Sequence, residues 1–233
     1  MVSIPCSVSK RECAAEFLGT YLLVLFGAGS VVISSALGGA IALLFVAGVF
    51  GATVALVIVL LGRYSGAHIN PAVTLAHVAA NKTRTNQILP YLFFQALGAI
   101  AAAFSLRAFF LNGPVFPADL GATELAPGII PLLGVICETI GTFFLCSAAL
   151  IATFYLQSRI RQAALVGGTL FVLILLFGNL TGASFNPARS IGPALSSGHW
   201  SNIYVYLTGP FMGALLSAIP FRLIERDRAF RDR

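Results

Sequence analysis

One short sequence occurs twice in this chain, each time between long apolar segments, and it constrains the fold more than any other feature. Residues 65–74 read Ser-Gly-Ala-His-Ile-Asn-Pro-Ala-Val-Thr, and residues 181–190 read Thr-Gly-Ala-Ser-Phe-Asn-Pro-Ala-Arg-Ser. The two copies align without a gap. In each copy asparagine directly precedes proline, a pair that favours the start of a helix. The chain therefore predicts two equivalent helix starts in two related halves.

The helices that begin there are predicted to be short. Residues 73–80 and 189–195 are apolar enough to be buried but too few to cross a bilayer. A helix of about ten residues rises about 15 Å, half of a hydrocarbon core of about 30 Å. We expect two half-helices that enter from opposite faces and meet near the midplane with their positive dipole ends. The motifs that meet there are Asn70, Pro71, Ala72 and Asn186, Pro187, Ala188.

The composition places these half-helices in a membrane. Hydrophobic residues make up 58% of the 233 residues and charged residues 9%, and the mean hydropathy is +0.92, which excludes a soluble globular domain. The six long apolar segments span residues 14–35, 40–61, 87–108, 129–156, 162–177 and 203–224. The expected fold is an all-α membrane protein with six transmembrane helices and two re-entrant half-helices.

The distribution of Lys and Arg predicts the orientation. With six crossings, every Lys and Arg except Arg107 and Arg189 falls on one side of the membrane or at its edge. The positive-inside rule places that side, and both termini, in the cytoplasm of a multi-pass protein of the cell membrane. The net charge of +6 is explained by this orientation, so no nucleic-acid partner is expected.

Further matches show that the whole halves are related. Residues 15–20 match residues 137–142, and residues 91–99 match residues 206–214. Three crossings per half is an odd number, so the second half is predicted to be inverted relative to the first. We expect one transmembrane domain over residues 1–233. Its parts are repeat one at about 10–108, an external connection at about 109–128, repeat two at about 129–224 and a cytoplasmic tail at about 225–233.

The stretches before the half-helices are predicted to line a polar path, because irregular backbone at membrane depth is tolerated only where protein buries it or water reaches it. Their carbonyl groups belong to Gly66, Ala67, His68, Gly182, Ala183 and Ser184. Asn70 and Asn186 either donate hydrogen bonds to a passing water at the centre or serve only as helix caps; the inverted repeat favours the first role.

Apart from Arg107 and Arg222 near the ends of their segments, three charged residues lie inside the predicted membrane segments and half-helices. Arg189 either faces a polar path or extends to the external surface. Glu16 and Glu138 occupy matching places in the two halves. They either form a proton relay or accept backbone amides from the re-entrant loop of their own half, and their symmetry favours the second role. Gly19, Gly51, Gly98, Gly141, Gly168 and Gly213 are expected to be close contacts between helices.

No metal site, cofactor or catalytic site is expected. Cys6, Cys13, Cys137 and Cys146 lack metal-ligand spacing, and the three histidines are far apart in the sequence. No nucleophile, base and orienting group converge, so the chain is not expected to be an enzyme.

The duplicated Asn-Pro-Ala motifs and the repeated Glu-x-x-Gly-Thr resemble those of the aquaporins, the major intrinsic protein family, over nearly the whole chain. The resemblance implies a pore in every subunit of a homotetramer. Counting from the motifs, it implies a selectivity filter of Phe50, Ile174, Ala183 and Arg189. Ile174 stands where strict water channels have histidine, as in archaeal-type aquaporins, whereas Ser190 is typical of the water-channel branch.

Together these features predict a passive water channel that excludes ions and protons and leaks small neutral solutes such as glycerol slowly. The alternatives are a glycerol or small-solute facilitator and, with Glu16 and Glu138 as the coupling site, a proton-coupled secondary transporter. A structural membrane protein without conduction is a third class. The expected partners are water, small neutral solutes, membrane lipid and further copies of the chain.

Overall fold

The computed structural model describes residues 8–37, 42–110 and 119–231, without the side chains of residues 35–37 and 225–231. Within these ranges the chain is helical and contains no β-strand. The helices are α1 (Lys10–Leu37), α2 (Ala42–Ser65), α3 (Pro71–Ala79), α4 (Ile88–Phe110), α5 (Pro131–Tyr155), α6 (Arg159–Thr181), α7 (Pro187–Ser197) and α8 (Val205–Arg231). A single 3₁₀ turn, Thr85–Gln87, precedes α4.

Six of these helices, α1, α2, α4, α5, α6 and α8, are long and apolar enough to cross a membrane, which confirms the six predicted segments. Their ends extend beyond the hydropathy boundaries: α1 begins at Lys10 and α6 at Arg159. Charged side chains at helix ends reach the interface through their apolar stems, so a helix continues where hydropathy already falls. Residues 1–7, 38–41, 111–118 and 232–233, which include Cys6 and part of the predicted external connection, lie outside the described ranges.

One face of the bundle holds the beginnings of α1, α4 and α6 and the ends of α2, α5 and α8; we call it the basic face. There the guanidinium of Arg84 pairs with the carboxylate of Glu12 at 3.6 Å. The ammonium of Lys82 lies 3.9 Å from the ring centroid of Phe154, which in turn contacts Phe221 with 5.1 Å between ring centroids. The beginning of the first helix, α1, and the end of the last helix, α8, therefore lie on the same face.

The two short helices end at opposite faces. At the basic face, Arg222 donates a hydrogen bond to the carbonyl of Ala79, the last residue of α3, at 3.4 Å. At the opposite face, Arg107 near the end of α4 donates to the carbonyl of Ser196 near the end of α7. Their N-termini meet inside the bundle, so the predicted pair of re-entrant half-helices is confirmed.

The packing shows the inverted repeat directly. The main contact within the first repeat is between α1 and α4, and its counterpart within the second is between α5 and α8. Each half-helix packs against the other repeat: α3 contacts α8, and α7 contacts α4. The two halves are thus interlocked, because the half-helix of each fills a space that the other half encloses.

Glycines at equivalent places allow these helices to approach closely. A Cβ atom on Gly98 of α4 would lie 2.3 Å from the carbonyl oxygen of Phe17 in α1, and one on Gly213 of α8 would lie 2.4 Å from that of Thr139 in α5. The expectation for Gly168 is wrong, because a Cβ there would meet nothing within 4 Å. Its neighbour Gly167 makes the contact instead, since adjacent residues of a helix face different directions.

The first re-entrant stretch is held by Glu16, a fully buried residue of α1. Its carboxylate accepts hydrogen bonds from the backbone N–H groups of His68 at 2.9 Å and Ile69 at 2.7 Å. It also accepts from the hydroxyl of Ser65 at 2.6 Å and the amide of Gln95 at 2.7 Å. One buried carboxylate therefore ties α1, α4 and the re-entrant stretch together.

Glu138 of α5 does the same in the second half. It accepts from the backbone N–H groups of Ser184 at 3.0 Å and Phe185 at 2.7 Å, and from the hydroxyl of Thr181 at 2.7 Å. The place equivalent to Gln95 is Pro210, which has no side-chain donor. The second loop thus receives the same backbone support with one side-chain donor fewer.

The backbone of both stretches adopts left-handed conformations that need this support. The φ angles of Ala67 and Ile69 are 51° and 46°, and those of Ala183 and Phe185 are 45° and 51°. Such conformations cost a non-glycine residue on the order of 1–3 kcal/mol. The hydrogen bonds to the two buried carboxylates offset that cost and fix the direction of the backbone at membrane depth.

We expect Gly213→Ala to lower the thermal stability of the purified protein, because the new methyl group would overlap the carbonyl of Thr139. Overpacking costs on the order of 1–3 kcal/mol. Gly168→Ala is the matched control, since its methyl group enters open space and removes the helix-destabilising freedom of glycine. Thermal unfolding in detergent, followed by fluorescence-detected gel filtration, measures both; equal midpoints would contradict the assigned contact.

We expect Glu138→Gln to lower the unfolding midpoint as well, because one acceptor oxygen becomes an NH₂ group that faces other donors. A buried unsatisfied donor lowers the free energy of unfolding by about 1–3 kcal/mol. In a chain of this size each kcal/mol lowers the unfolding midpoint by roughly 2–4 °C. Glu124→Gln is the control, because the Glu124 side chain is 55% exposed. A midpoint for Glu138→Gln within error of that control would show that the loop does not depend on the carboxylate.

Candidate functional site

An internal cavity runs between the helices and is lined by both repeats. Its apolar wall comes from α1, α2, α3, α5 and α6: Leu23, Val54, Ile58, Val73, Leu145, Ala149, Ala152, Val166 and Leu170. Backbone and side chains of the re-entrant stretches form the facing wall: Gly66, Ala67, His68, Ile69, Ala183 and Ser184. Polar side chains are few, so each one strongly affects what the cavity can bind.

The two asparagines meet where α3 and α7 begin. The side-chain nitrogen of Asn70 donates to the carbonyl of Phe185 at 2.8 Å, and that of Asn186 donates to the carbonyl of Ile69 at 2.9 Å. These bonds cross between the repeats and fix both amides. Both asparagines line the cavity, and each NH₂ group carries a second hydrogen that a solute oxygen can accept.

The same side chains are also helix caps. The side-chain oxygen of Asn70 accepts from the N–H of Ala72 at 2.8 Å, and that of Asn186 accepts from the N–H of Ala188 at 3.0 Å. Pro71 and Pro187 occupy the first helical positions, where the missing N–H is not needed. Each asparagine therefore combines the two predicted roles. Its side-chain oxygen caps the half-helix, and its side-chain nitrogen is the donor on the cavity side.

Arg189 lies in the first turn of α7 and is 2% exposed, which overturns the interpretation of a side chain extended to the surface. It donates through Nη1 to the carbonyl of Gly121 at 2.8 Å, and its guanidinium lies 5.2 Å from the ring centroid of Phe50. Its buried Nε has no hydrogen-bond partner among the described residues. Arg189 lines the cavity and so brings a positive charge to its wall.

Of the other residues predicted for the filter, Phe50 and Ala183 line the cavity together with Arg189. Ile174 is buried, with 3% of its surface exposed, but it is not among the residues that line this cavity; Leu170, one turn earlier in α6, is. Gly182 is likewise absent from the lining. It caps the C-terminus of α6 with a left-handed φ of 73°.

Three lining residues near the basic face were not assigned to the site from the sequence: His77, Thr153 and Gln162. His77 and Thr153 are isolated polar residues in apolar stretches, whereas Gln162 directly follows Arg161 at the start of a predicted segment. For His77 and Thr153 that isolation is the signal that could have identified them, since polar side chains inside membrane segments face a cavity or a partner. Among the described residues, no three His, Cys, Asp or Glu side chains lie close enough together to hold a metal ion.

Comparison with known proteins agrees with this architecture. The plant protein aquaporin NIP1-1 of Zea mays is 36% identical over 97% of this chain and 77% of its own length. Aquaporin AqpM of the archaeon Methanothermobacter marburgensis is 34% identical over 95% of this chain and 99% of its own length. The crystal structure of the aquaglyceroporin from Plasmodium falciparum superimposes with a TM-score of 0.83 at 25% identity, covering 91% of this chain and 95% of that one.

A model of one family matches almost the entire membrane domain. The match to the major intrinsic proteins covers residues 4–221, which include both Asn-Pro-Ala motifs, both buried glutamates, five of the six membrane-crossing helices and most of the sixth span. The family consists of channels for water and small neutral solutes, not of enzymes. With its interlocked inverted repeats and paired asparagines, this chain belongs to the major intrinsic protein family.

Proposed function

We propose that this protein is a passive water channel that excludes ions and protons and leaks small neutral solutes slowly. The observation that carries the proposal is the pair of asparagine amides, each fixed by a carbonyl of the opposite repeat. Their remaining N–H hydrogens face the cavity from the N-termini of two helices, where the helix dipoles are positive. A water molecule there accepts from both amides and is thereby oriented.

Such an arrangement passes water but rejects ions and protons, which is the general account of selectivity in aquaporin-type pores. Cations meet the positive ends of α3 and α7 and the guanidinium of Arg189. A water oriented at the asparagines has its oxygen facing the amides, so it cannot donate a hydrogen bond in their direction. The hydrogen-bonded chain along which a proton would move is interrupted there.

The chemistry of the wall near Arg189 favours water over glycerol. Phe50 lies beside the guanidinium, and both line the cavity with Ala183, so the bulky ring takes up space next to the charge. The second candidate function, a glycerol or small-solute facilitator, is favoured by the apolar Ala183 and Leu170, because an apolar wall suits a carbon backbone. The structural similarity to a protein described as an aquaglyceroporin supports the same alternative.

The two buried glutamates support a channel more than a proton-coupled transporter. Each carboxylate accepts at least three hydrogen bonds from the loop and helices around it, and neither residue lines the cavity. A coupling carboxylate needs a path to the solute. Glu16 and Glu138 are therefore assigned the role of holding the re-entrant stretches.

The assembly and orientation complete the proposal. The protein is a homotetramer of subunits with separate pores in the cell membrane, and both termini are cytoplasmic, because the basic face carries most of the Lys and Arg. Each subunit is one channel domain with repeats at about 10–108 and 129–224, joined by an external connection, and a cytoplasmic end that continues α8 as far as Arg231.

Reconstitution into liposomes tests the proposal. Stopped-flow light scattering after a shock with an impermeant osmolyte measures water flux, and a glycerol gradient on the same vesicles measures solute entry. Fast water flux with a low activation energy and slow glycerol entry is the expected result. Comparable glycerol entry would establish the facilitator instead, and flux no greater than in protein-free liposomes would exclude both channels.

We expect Arg189→Val to raise glycerol and cation permeability several-fold while the protein still folds, because valine already occupies the equivalent place, Val73, in the first repeat. The substitution removes the charge and opens space beside Phe50. Arg161→Val, at an exposed position on the basic face, is the matched control for loss of one arginine. Glycerol influx and cation leak are measured in the same vesicles; selectivity equal to the control would remove Arg189 from the filter.

A further inference from the structure

The cavity wall toward the basic face contains two histidines that the proposed water path does not require. His68 lies in the first re-entrant stretch and His77 on α3, and their ring centroids are 4.5 Å apart. They are 6% and 4% exposed, and both line the cavity. Which ring nitrogens of these two imidazoles carry a hydrogen follows from the hydrogen-bond partner of each nitrogen.

Both ring nitrogens of His77 have hydrogen-bond partners within the protein. Nδ1 lies 2.9 Å from the carbonyl oxygen of Val73, one turn earlier in α3. Because a carbonyl oxygen can only accept, Nδ1 carries a hydrogen. Nε2 lies 3.0 Å from the hydroxyl oxygen of Thr153 on α5. The protonation state of the ring therefore depends on whether that hydroxyl donates or accepts.

The Thr153 hydroxyl has two possible acceptors but only one hydrogen. Its oxygen also lies 3.0 Å from the carbonyl oxygen of Ala149. When the hydrogen points to Ala149, the oxygen accepts from Nε2–H and His77 is an imidazolium. When the hydrogen points to Nε2, the ring is neutral. Rotation of one hydroxyl thus satisfies both protonation states without moving a heavy atom.

His68 differs from His77 at its second nitrogen. Its Nδ1 lies 3.2 Å from the Thr74 hydroxyl, which can itself donate to the carbonyl of Asn70 at 3.2 Å and also accepts from the amide of Gln95 at 3.0 Å. Its Nε2, unlike that of His77, has no hydrogen-bond partner among the described residues. A second proton on the pair is opposed by like charge at this distance. The pair accordingly holds one extra proton, and the hydrogen-bond partners favour His77.

We propose that His77 is a proton-binding site in the channel wall, with Thr153 as the group that adapts to its charge, and that proton binding there slows water flux. The site follows from the hydrogen bonds alone, whereas the effect on flux rests on the proposed water channel. Because Val73 and Thr153 take both N–H groups, the charged ring acts on neighbouring waters through its electric field, which orients and holds them more strongly than a neutral ring does in a site of low dielectric constant.

The surrounding charges decide how readily this proton binds. The titratable and charged side chains on the elements and loops packed around the pair are Glu16, Lys82, Tyr91, Glu138, Arg189 and Arg222. Lys82 and Arg222 are cations at the end of α3 and oppose a further positive charge. The carboxylates of Glu16 and Glu138 are engaged by the re-entrant stretches. Burial opposes a charged ring more than any of these groups does, so the proton binds only in acid, where the hydrogen bonds to Val73 and Thr153 favour the charged form.

Water flux in proteoliposomes is measured at several pH values between about 3.5 and about 7.5, because a buried ring takes up a proton less readily than a free imidazole, whose pKa is about 6.5. The readout is the ratio of acid to neutral permeability within each variant, corrected for protein-free liposomes. We expect a ratio of about one half or less in the wild type and in His199→Gln, a control histidine outside the cavity lining. We expect a ratio near one in His77→Gln.

Thr153→Val keeps the volume of the side chain but removes the acceptor for the imidazolium, so the acid-side fall in flux moves to lower pH. Persistence of the wild-type fall in His77→Gln would overturn the proposal, as would a wild-type ratio near one. An unchanged profile in Thr153→Val would overturn the role of the hydroxyl.

A second measurement does not depend on conduction. In detergent-solubilised protein with ¹⁵N-labelled histidine, NMR resolves the protonation of each ring, and the His77 signals are identified by their absence in His77→Gln. Titration of His77 supports the site even if no water flux is found, in which case only the channel proposal fails. A His77 ring that stays neutral down to about pH 4 overturns the site.

Discussion

Everything in this fold depends on satisfying two short pieces of irregular backbone at membrane depth. Hydrocarbon offers them no hydrogen bonds, and each unsatisfied group would cost several kcal/mol. The chain meets this requirement with two buried carboxylates, Glu16 and Glu138, each placed by a long helix of its own repeat. The carboxylates take N–H groups of these stretches, which leaves the carbonyls of Ile69 and Phe185 to accept from the asparagine of the opposite repeat.

The scaffold is symmetric, but the chemistry of the cavity wall is not. The glutamates, the left-handed residues, the asparagines and the tyrosines that bond to the loop carbonyls occur in both halves; Tyr91 donates to Ser65 at 3.0 Å and Tyr206 to Thr181 at 2.9 Å. Where side chains meet the solute path, the halves differ, as Arg189 corresponds to Val73 and Pro193 to His77. Residues that stabilise the fold are therefore equivalent in the two halves, whereas residues along the solute path differ between them.

The sequence predicted most where a signal occurred twice. Hydropathy predicted the six spans, and the half-helices and the inverted halves followed from paired motifs, because two copies at matching places make coincidence improbable. Single residues across a loop were harder to place. Counting back from Asn186 to Ile174 gives a position on the same face of α6 as Leu170, one turn earlier, which is the residue that lines the cavity. The exchange of Gly168 for Gly167 has a different cause, since hydropathy does not resolve helix rotation.

Thr153 and His77 were overlooked for a different physical reason. Neither belongs to a repeated motif, and their partnership joins α5 to α3 across the repeats, a contact that no local pattern encodes. The same interlocking puts Asn70 against Phe185 and Asn186 against Ile69. Each half-helix is therefore positioned by the repeat to which it does not belong. A site in the cavity wall is consequently always composite, and its chemistry appears only once both halves are folded together.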